Sequence, residues 1–74
     1  MPFSVSEAAI VSEYITLGQF LKFVGIAGQG GEAKAILQSE GATVNGEPEN
    51  RRGRKLYPND VVVFRNKAYR IIRK

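Results

Sequence analysis

Four cationic side chains stand within five consecutive residues, in the run Arg51-Arg52-Gly53-Arg54-Lys55. Arginine presents a planar fork of donors that fits a phosphate bidentately, and lysine adds a compact positive charge. Gly53 lets the backbone lie close to a ligand, because it has no Cβ atom. Cations at this density can neutralise several phosphates at once. The run therefore predicts a binding site for a polyanion.

Internal ion pairing is another use for the same cations. Glu47, Glu49 and Asp60 lie close to the run in sequence and could pair with it. Exposed ion pairs contribute only about 0–1 kcal/mol each, which is too little to explain the clustering by itself. We therefore prefer the polyanion site over a set of internal pairs.

The charge of the 74-residue chain is distributed unevenly. Residues 1–50 carry two basic and six acidic side chains, a formal charge of −4, whereas residues 51–74 carry nine basic and one acidic, a formal charge of +8. A solvated surface that keeps the protein in solution is one interpretation of this basic segment. Its density favours the other, a polyanion such as nucleic acid as the partner.

The sequence contains no histidine and no cysteine. The usual zinc sites, histidine general bases and Ser-His-Asp or Cys-His nucleophiles therefore cannot form within it. Its glutamates are scattered over turns and helix ends, and no two carboxylates have a spacing that suggests acid–base catalysis. We expect a protein that is not an enzyme and that carries no cofactor.

The elements that must position the basic run begin with a strand predicted over residues 9–15, where β-branched and aromatic side chains are frequent. Thr16 and Gln19 then have the spacing of a capping box, which starts a helix. Gly25 stands where a left-handed helix cap is preferred. Between them the apolar side chains follow the i, i+3, i+4, i+7 pattern of one helical face; they are Leu17, Phe20, Leu21 and Val24.

A second helix is predicted over residues 32–40, and Gly41 ends it. The glycines before this helix have two interpretations. Free backbone N–H groups at Gly30 and Gly31, together with the helix dipole, could hold a phosphate. The same glycines could simply permit a tight turn between the two helices, and the sequence does not separate the two roles.

From residue 42 onward the apolar pattern changes from a helical period to an alternating one. Residues 45–46, Asn-Gly, are the commonest dipeptide of a two-residue hairpin turn, and Pro48 predicts that the return strand is short or at an edge. Residues 61–64 form the strongest predicted strand, and residues 68–72 return beside it. The predicted fold class is therefore α+β, with two helices packed against a small, mostly antiparallel sheet.

We expect a single domain over residues 9–74, preceded by a loose N-terminal arm over residues 1–8. The first residues lack the basic region and apolar run of a signal peptide. No stretch approaches the roughly 20 apolar residues of a membrane span. These observations predict a cytoplasmic protein with no membrane partner.

The aromatic residues are predicted to serve the core rather than the site. Tyr57 and Tyr69 lie near cations and could stack on bases, but a tyrosine in a small sheet is more often half-buried, so both are left out of the site. Phe20, Phe23 and Phe64 are assigned to the core or its margin for the same reason.

Five sequence blocks stand in a characteristic order and spacing, at residues 14–22, 30–34, 44–47, 51–56 and 60–62. The third block contains Val-Asn-Gly and the fourth contains Arg-Arg-Gly-Arg-Lys. In order and spacing, the five blocks resemble the RNA-binding domain of the ribosomal protein S-four family, also called the alpha-L domain. The chain is similar in particular to the short stand-alone YaaA/YbcJ subgroup.

The resemblance implies an RNA-binding surface made by the first helix, the start of the second helix and the basic loop after the hairpin. Many family members open the first helix with Arg-Leu-Asp and the second with a Ser-Arg-Ser-like turn, where this chain has Thr-Leu-Gly and Gln-Gly-Gly. The Arg-Arg-Gly-Arg-Lys block is expected to compensate for the missing side chains, and backbone N–H groups at Gly30 and Gly31 are expected to replace them. The implied RNA-binding residues are Lys22, Gln29, Gly30, Gly31, Lys34, Arg51, Arg52, Arg54 and Lys55.

The residues and the resemblance together predict a monomeric, non-enzymatic RNA-binding module that contacts structured RNA, with ribosomal RNA, the ribosome or its assembly intermediates as partners. An adaptor that docks on an acidic protein partner, for example during ribosome assembly, is the alternative. The same basic patch would serve either function.

Overall fold

Two α-helices pack on one face of a five-stranded sheet in the computed structural model of the protein, which describes residues 5–28 and 31–74. Among the described residues, no helix is long and apolar enough to cross a membrane. The elements in chain order are β1 (Val5–Ile10), β2 (Ile15–Thr16), α1 (Leu17–Phe23), α2 (Glu32–Ser39), β3 (Ala42–Val44), β4 (Glu47–Glu49), β5 (Lys55–Leu56), β6 (Val61–Phe64) and β7 (Lys67–Arg73).

The strands of the larger sheet lie in the order β1-β7-β6-β3-β4. Neighbouring strands run antiparallel except β1 and β7, which are parallel, while β2 and β5 form a separate antiparallel ribbon. Asn45 and Gly46 turn β3 into β4 with φ of +53° and +86°, and Pro48 lies on the edge strand β4, both as predicted. The predicted α+β class is confirmed.

The first strand lies earlier in the chain than its local pattern predicts. Instead of residues 9–15, the strand occupies Val5–Ile10, and each of its residues pairs with β7. The prediction of a loose arm is therefore wrong for residues 5–8, and residues 1–4 lie outside the described part of the chain. Pairing with β7 determines where the first strand lies. Ala8 is buried beside β7, whereas Val11, within the predicted strand, is 77% exposed.

Both helices begin and end near the predicted residues. The Thr16 hydroxyl accepts from the Gln19 N–H at 3.2 Å, and the Gln19 side chain accepts from the Thr16 N–H at 3.1 Å, so the capping box is confirmed. Gly25 follows α1 with φ +82°, and Gly41 follows α2 with φ +73°. Glycine adopts this left-handed backbone at little cost, which explains both helix ends.

The core fills the space between the helices and the inner face of the sheet. Phe20 lies edge-on to Tyr69 with ring centroids 5.2 Å apart, and both side chains are buried as predicted. Phe23 is 55% exposed, so its assignment to the core is wrong. It lies about a third of a turn from the centre of the apolar stripe of α1. The largest fully buried side chains are Phe20, Phe64, Leu17, Leu21, Leu37, Leu56, Ile71, Val44 and Val62.

Candidate nucleic-acid interface

The basic loop, which comprises residues 50–55, closes over the start of α1. The backbone N–H of Leu17 donates to the carbonyl of Arg54 at 2.8 Å, and the N–H of Gly18 donates to the carbonyl of Arg52 at 2.9 Å. The first N–H groups of a helix have no partner inside the helix, so the loop satisfies two donors that otherwise need water. The loop is thus held against α1 through its backbone, without using its side chains.

Gly18 permits this close contact. A Cβ atom at position 18 would lie 3.1 Å from the Cβ of Arg52 and 3.4 Å from its carbonyl oxygen. Carbon atoms in ordinary contact are about 3.5–4.0 Å apart. Position 18 is one of those at which the chain departs from the Arg-Leu-Asp pattern of the family it resembles. The glycine therefore brings the loop against the helix at that position.

The ribbon of β2 and β5 fixes the far end of the basic loop. Ile15 pairs with Leu56 and Thr16 pairs with Lys55. Leu56 is fully buried, and Thr16 is also the N-cap of α1. The ribbon, the helix and the loop therefore form one connected unit.

Glu49 binds two of the four loop cations. Its carboxylate accepts hydrogen bonds from Arg51 Nε at 2.9 Å, Arg51 Nη2 at 3.2 Å, the Arg51 backbone N–H at 3.1 Å and Arg54 Nη1 at 3.0 Å. The side-chain bonds from Arg51, assisted by its backbone N–H and by Arg54, lower the pKa of Glu49 to about 2 against the opposing effect of burial. Internal pairing, the alternative raised from the sequence, is therefore correct for Arg51 and Arg54.

Pairing leaves much of the cationic surface open to a ligand. The Arg51 side chain remains 76% exposed although it is bound to Glu49, and the Arg54 side chain is 31% exposed. Arg52 and Lys55 are exposed, and neither forms an ion pair with any residue that the structure describes. The loop thus combines two guanidinium groups paired with Glu49 and two cations that form no ion pair with a described residue.

Two shallow grooves connect the basic loop with both helices. One, of about 240 Å³, lies between α1 and the loop and is bordered by Lys22 and Arg52. The other, of about 340 Å³, lies between α2 and the loop and is bordered by Lys34, Arg51 and Arg52. Arg52 and Gly53 border both grooves. Four of the predicted RNA-binding side chains are therefore brought together on one face.

The glycine turn before α2 is described only in part. Gly31 is exposed and precedes α2 as its N-cap, without a side-chain hydrogen bond. Next to it, the Glu32 carboxylate accepts a hydrogen bond from the Gly28 N–H. Gln29 and Gly30 lie outside the described residues, so phosphate binding by this turn stays a prediction.

Tyr57 lies on the surface, contrary to its assignment to the core. Its side chain is 48% exposed, and its ring contacts Tyr14 edge-on with centroids 5.7 Å apart. Tyr69 is buried, as predicted. An alternating pattern in the sequence could have predicted that Tyr57 is exposed. In residues 14–16 and in residues 55–57, an apolar residue stands between two that are polar or amphipathic. With the middle residues facing the core, the outer ones face solvent.

Most of the chain, residues 8–72, matches the sequence profile of the S4 domain family. The match spans both helices and the basic loop. The chain is also 56% identical over 54 residues to a protein of Bacillus subtilis (strain 168) named probable ribosome maturation protein RlbA. The aligned region covers 73% of this chain and 76% of that protein.

Proposed function

The chain belongs to the S4 domain family, and on that premise we propose that it is a non-enzymatic RNA-binding module that contacts structured RNA through its basic loop and the adjoining helix face. One observation carries the proposal: Lys22, Lys34, Arg51 and Arg52 border two adjacent grooves around a loop that backbone hydrogen bonds hold in place. Such a face offers several phosphate contacts in a fixed arrangement.

The shape of this face suits a folded RNA. A-form helices display their phosphates and 2′-hydroxyl groups along a wide, shallow minor groove, which proteins recognise largely by shape. The grooves beside the loop are shallow as well, and Glu49 holds the Arg51 guanidinium in one orientation. A side chain that is oriented before binding loses less conformational entropy when the RNA arrives.

The relative from Bacillus subtilis is named a probable ribosome maturation protein. That name supports ribosomal RNA, or a ribosomal subunit under assembly, as the partner of this chain as well. A ribosomal partner would locate the protein in the cytoplasm, where it would act as a monomer. Co-sedimentation with ribosomal subunits at low salt is the corresponding measurement.

Salt dependence tests the phosphate contacts directly. Each neutralised phosphate contributes about 0.7–0.9 to the slope of log K against log salt, so five or so contacts predict a slope of roughly −3 to −5. A triple variant, Lys22→Ala, Lys34→Ala and Arg52→Ala, removes exposed cations that form no ion pair in the described part of the chain. We expect its slope to be smaller in magnitude by about 2–3.

A charge-matched control separates the site from general electrostatics. Lys67, Arg73 and Lys74 are exposed cations on or just after β7, and they border none of the grooves around the basic loop. Their replacement by alanine changes the net charge equally but should leave the slope nearly unchanged. Equal losses in both triple variants, or an unchanged slope in the first, would mean that the site is misassigned. Arg51 and Arg54 are kept, because their removal would leave the buried Glu49 carboxylate unpaired.

RNase treatment distinguishes the RNA-binding module from the adaptor on an acidic protein. The protein is captured from a lysate with and without RNase, and its main partner is compared. Loss of the partner after RNase supports the RNA-binding module, and its survival supports the adaptor.

A further inference from the structure

Tyr14 and Tyr57 lie at the same end of the ribbon of β2 and β5, one residue before β2 and one residue after β5. Because Ile15 pairs with Leu56 in an antiparallel register, Tyr14 stands opposite Tyr57 at the next position. The rings meet edge-on at 5.7 Å, and the two side chains are 36% and 48% exposed. Lys55 lies on the same side of the ribbon, with its Nζ 5.0 Å from the centroid of the Tyr14 ring. An aromatic surface and a cation therefore adjoin each other.

The backbone holds Tyr57 in place before any ligand binds. The Tyr57 N–H donates to Asp60 Oδ2 at 2.8 Å, and the Asp60 N–H donates to the Tyr57 carbonyl at 3.0 Å. Asp60 Oδ1 also accepts from the Asn45 side-chain amide at 3.0 Å, which ties this turn to the hairpin of β3 and β4. Exposed aromatic rings on a fixed backbone suit recognition, since little ordering remains to be done on binding.

The exposed Tyr57 ring borders the basic loop. An open groove of about 560 Å³ is lined by Tyr57, Lys55, Arg54, Gly53 and Arg51. A Cβ atom at Gly53 would have no heavy atom within 4 Å, so the groove is open at that point. Cations and an aromatic side chain that line one groove match the two parts of a nucleotide, its phosphate and its base.

We infer that Tyr57 is a stacking platform for an unpaired nucleobase of the RNA whose neighbouring phosphates contact the basic loop, with Tyr14 supporting the ring. This inference rests on the proposed function and adds to it a preference for RNA with an unpaired base beside a helix. A base within a regular duplex has both faces covered by its neighbours, so only a bulge, loop or end can supply one. Stacking is tolerant of base identity, because every base has a π face.

Two RNA duplexes with identical base-paired ends and the same number of base pairs test the inference, one fully paired and one with a single-nucleotide bulge. We expect Tyr57→Ala to weaken binding of the bulged RNA about 5- to 100-fold, the range found for the loss of one aromatic stacking contact. Binding of the paired RNA should change less than 2-fold. Tyr57→Phe should retain the preference, since it keeps the ring. The salt slope of Tyr57→Ala should equal that of the unaltered protein, because no phosphate contact is removed.

Phe23→Ala is the matched control, because it removes an exposed aromatic side chain of α1 that borders none of the three grooves around the loop. It should leave the binding of both RNAs unchanged, and thermal unfolding of each variant checks its fold.

A 2-aminopurine base in the bulge adds a direct readout, since its fluorescence change on binding should disappear in Tyr57→Ala. Equal effects of Tyr57→Ala on both RNAs, or none on either, would overturn the stacking platform alone. Failure of the unaltered protein to bind either RNA would overturn the proposed function and the inference with it.

Discussion

At the scale of single residues, Glu49 has a role that its position in the sequence does not reveal. It stands before a run of cations, where charge counting suggests one ion pair among several. In the structure it accepts four hydrogen bonds from two arginines and is buried. Glu49 therefore organises the basic loop instead of merely lowering its charge.

The lowered pKa of Glu49 makes the stability of the protein depend on pH. A carboxyl whose pKa falls from its ordinary value of 4.5 to about 2 on folding stabilises the folded state above pH 4.5 and loses that effect as the pH falls toward 2. We expect Glu49→Gln to lower the free energy of unfolding at pH 7 by about 1–3 kcal/mol, the value of hydrogen bonds to a charged group. Its unfolding free energy should also decrease less between pH 5 and pH 2.5.

Urea denaturation followed by circular dichroism at stepped pH measures both effects. Glu47→Gln is the control, because Glu47 is exposed, lies on the same strand and forms no ion pair with a described residue. Parallel pH profiles for Glu49→Gln and the unaltered protein would contradict the assignment.

Residue types alone predict the cations of the site but not the exposure of its aromatic residues. The run 51–55 stands out in any count of charge. The tyrosines are ambiguous, because each follows a lysine and an apolar residue, and yet Tyr57 is exposed and Tyr69 is buried. Their difference arises from the register of two separate strand pairs, β2 with β5 and β6 with β7, which a single sequence does not specify.

At the scale of elements, the contact between α1 and the basic loop is the main feature that builds the site. The capping box predicts where α1 starts, because its two partners are three residues apart. The backbone hydrogen bonds from Leu17 and Gly18 to the loop join residues that lie far apart in sequence, so no local sequence pattern predicts them. Gly18 is the local sequence feature that indicates this contact, because a glycine in the first turn of a helix is ordinarily less favourable than a residue with a side chain.

A larger side chain at position 18 should separate the loop from α1. Leucine in place of glycine gains up to about 1 kcal/mol in helix propensity, but its Cβ would crowd Arg52 at 3.1 Å. We expect Gly18→Leu to lower the free energy of unfolding by about 1–3 kcal/mol, a typical cost of overpacking. The backbone N–H groups at positions 17 and 18 should lose protection from hydrogen exchange, because both lose their loop carbonyls.

Ala35→Leu, at an exposed position of α2, is the control for this substitution and should change stability by no more than about 0.5 kcal/mol. Unchanged protection of the N–H groups at positions 17 and 18 in the Gly18→Leu variant would show that the loop tolerates the side chain and that the contact is looser than the geometry indicates.

At the scale of the whole molecule, the two oppositely charged segments of the sequence are interleaved in space. Each ion pair among the described residues joins an acidic residue of the first segment to an arginine of the second. They are Glu7 with Arg70 at 3.9 Å, Glu40 with Arg65 at 2.6 Å, and Glu49 with Arg51 at 2.9 Å and with Arg54 at 3.0 Å. The charge count along the sequence therefore overstates the spatial separation of the two charges, because part of the positive charge is paired with the acidic segment.

The order of elements and the fold class follow from the sequence because hairpins and helices are local. Asn45, Gly46 and the glycines after each helix specify their turns through their own backbone preferences. The position of β1 cannot be predicted from the local sequence, because β1 pairs in parallel with β7 at the other end of the chain. Its position therefore depends on a partner that lies more than fifty residues away.

Shortening the chain tests whether β1 is part of the domain. The local pattern predicts that residues 1–8 form a loose arm whose removal has little effect, whereas the structure pairs residues 5–8 with β7 and buries Ala8. Each backbone hydrogen bond contributes about 0.5–1.5 kcal/mol, so removal of residues 1–8 should lower the free energy of unfolding by about 2–4 kcal/mol. Domains of this kind have as little as about 5 kcal/mol in total, so the urea midpoint should move markedly. Removal of residues 1–4, which leaves all of β1, is the control and should lower stability far less. Equal midpoints for the full chain and for the chain without residues 1–8 would restore the loose arm and limit the domain to residues 9–74.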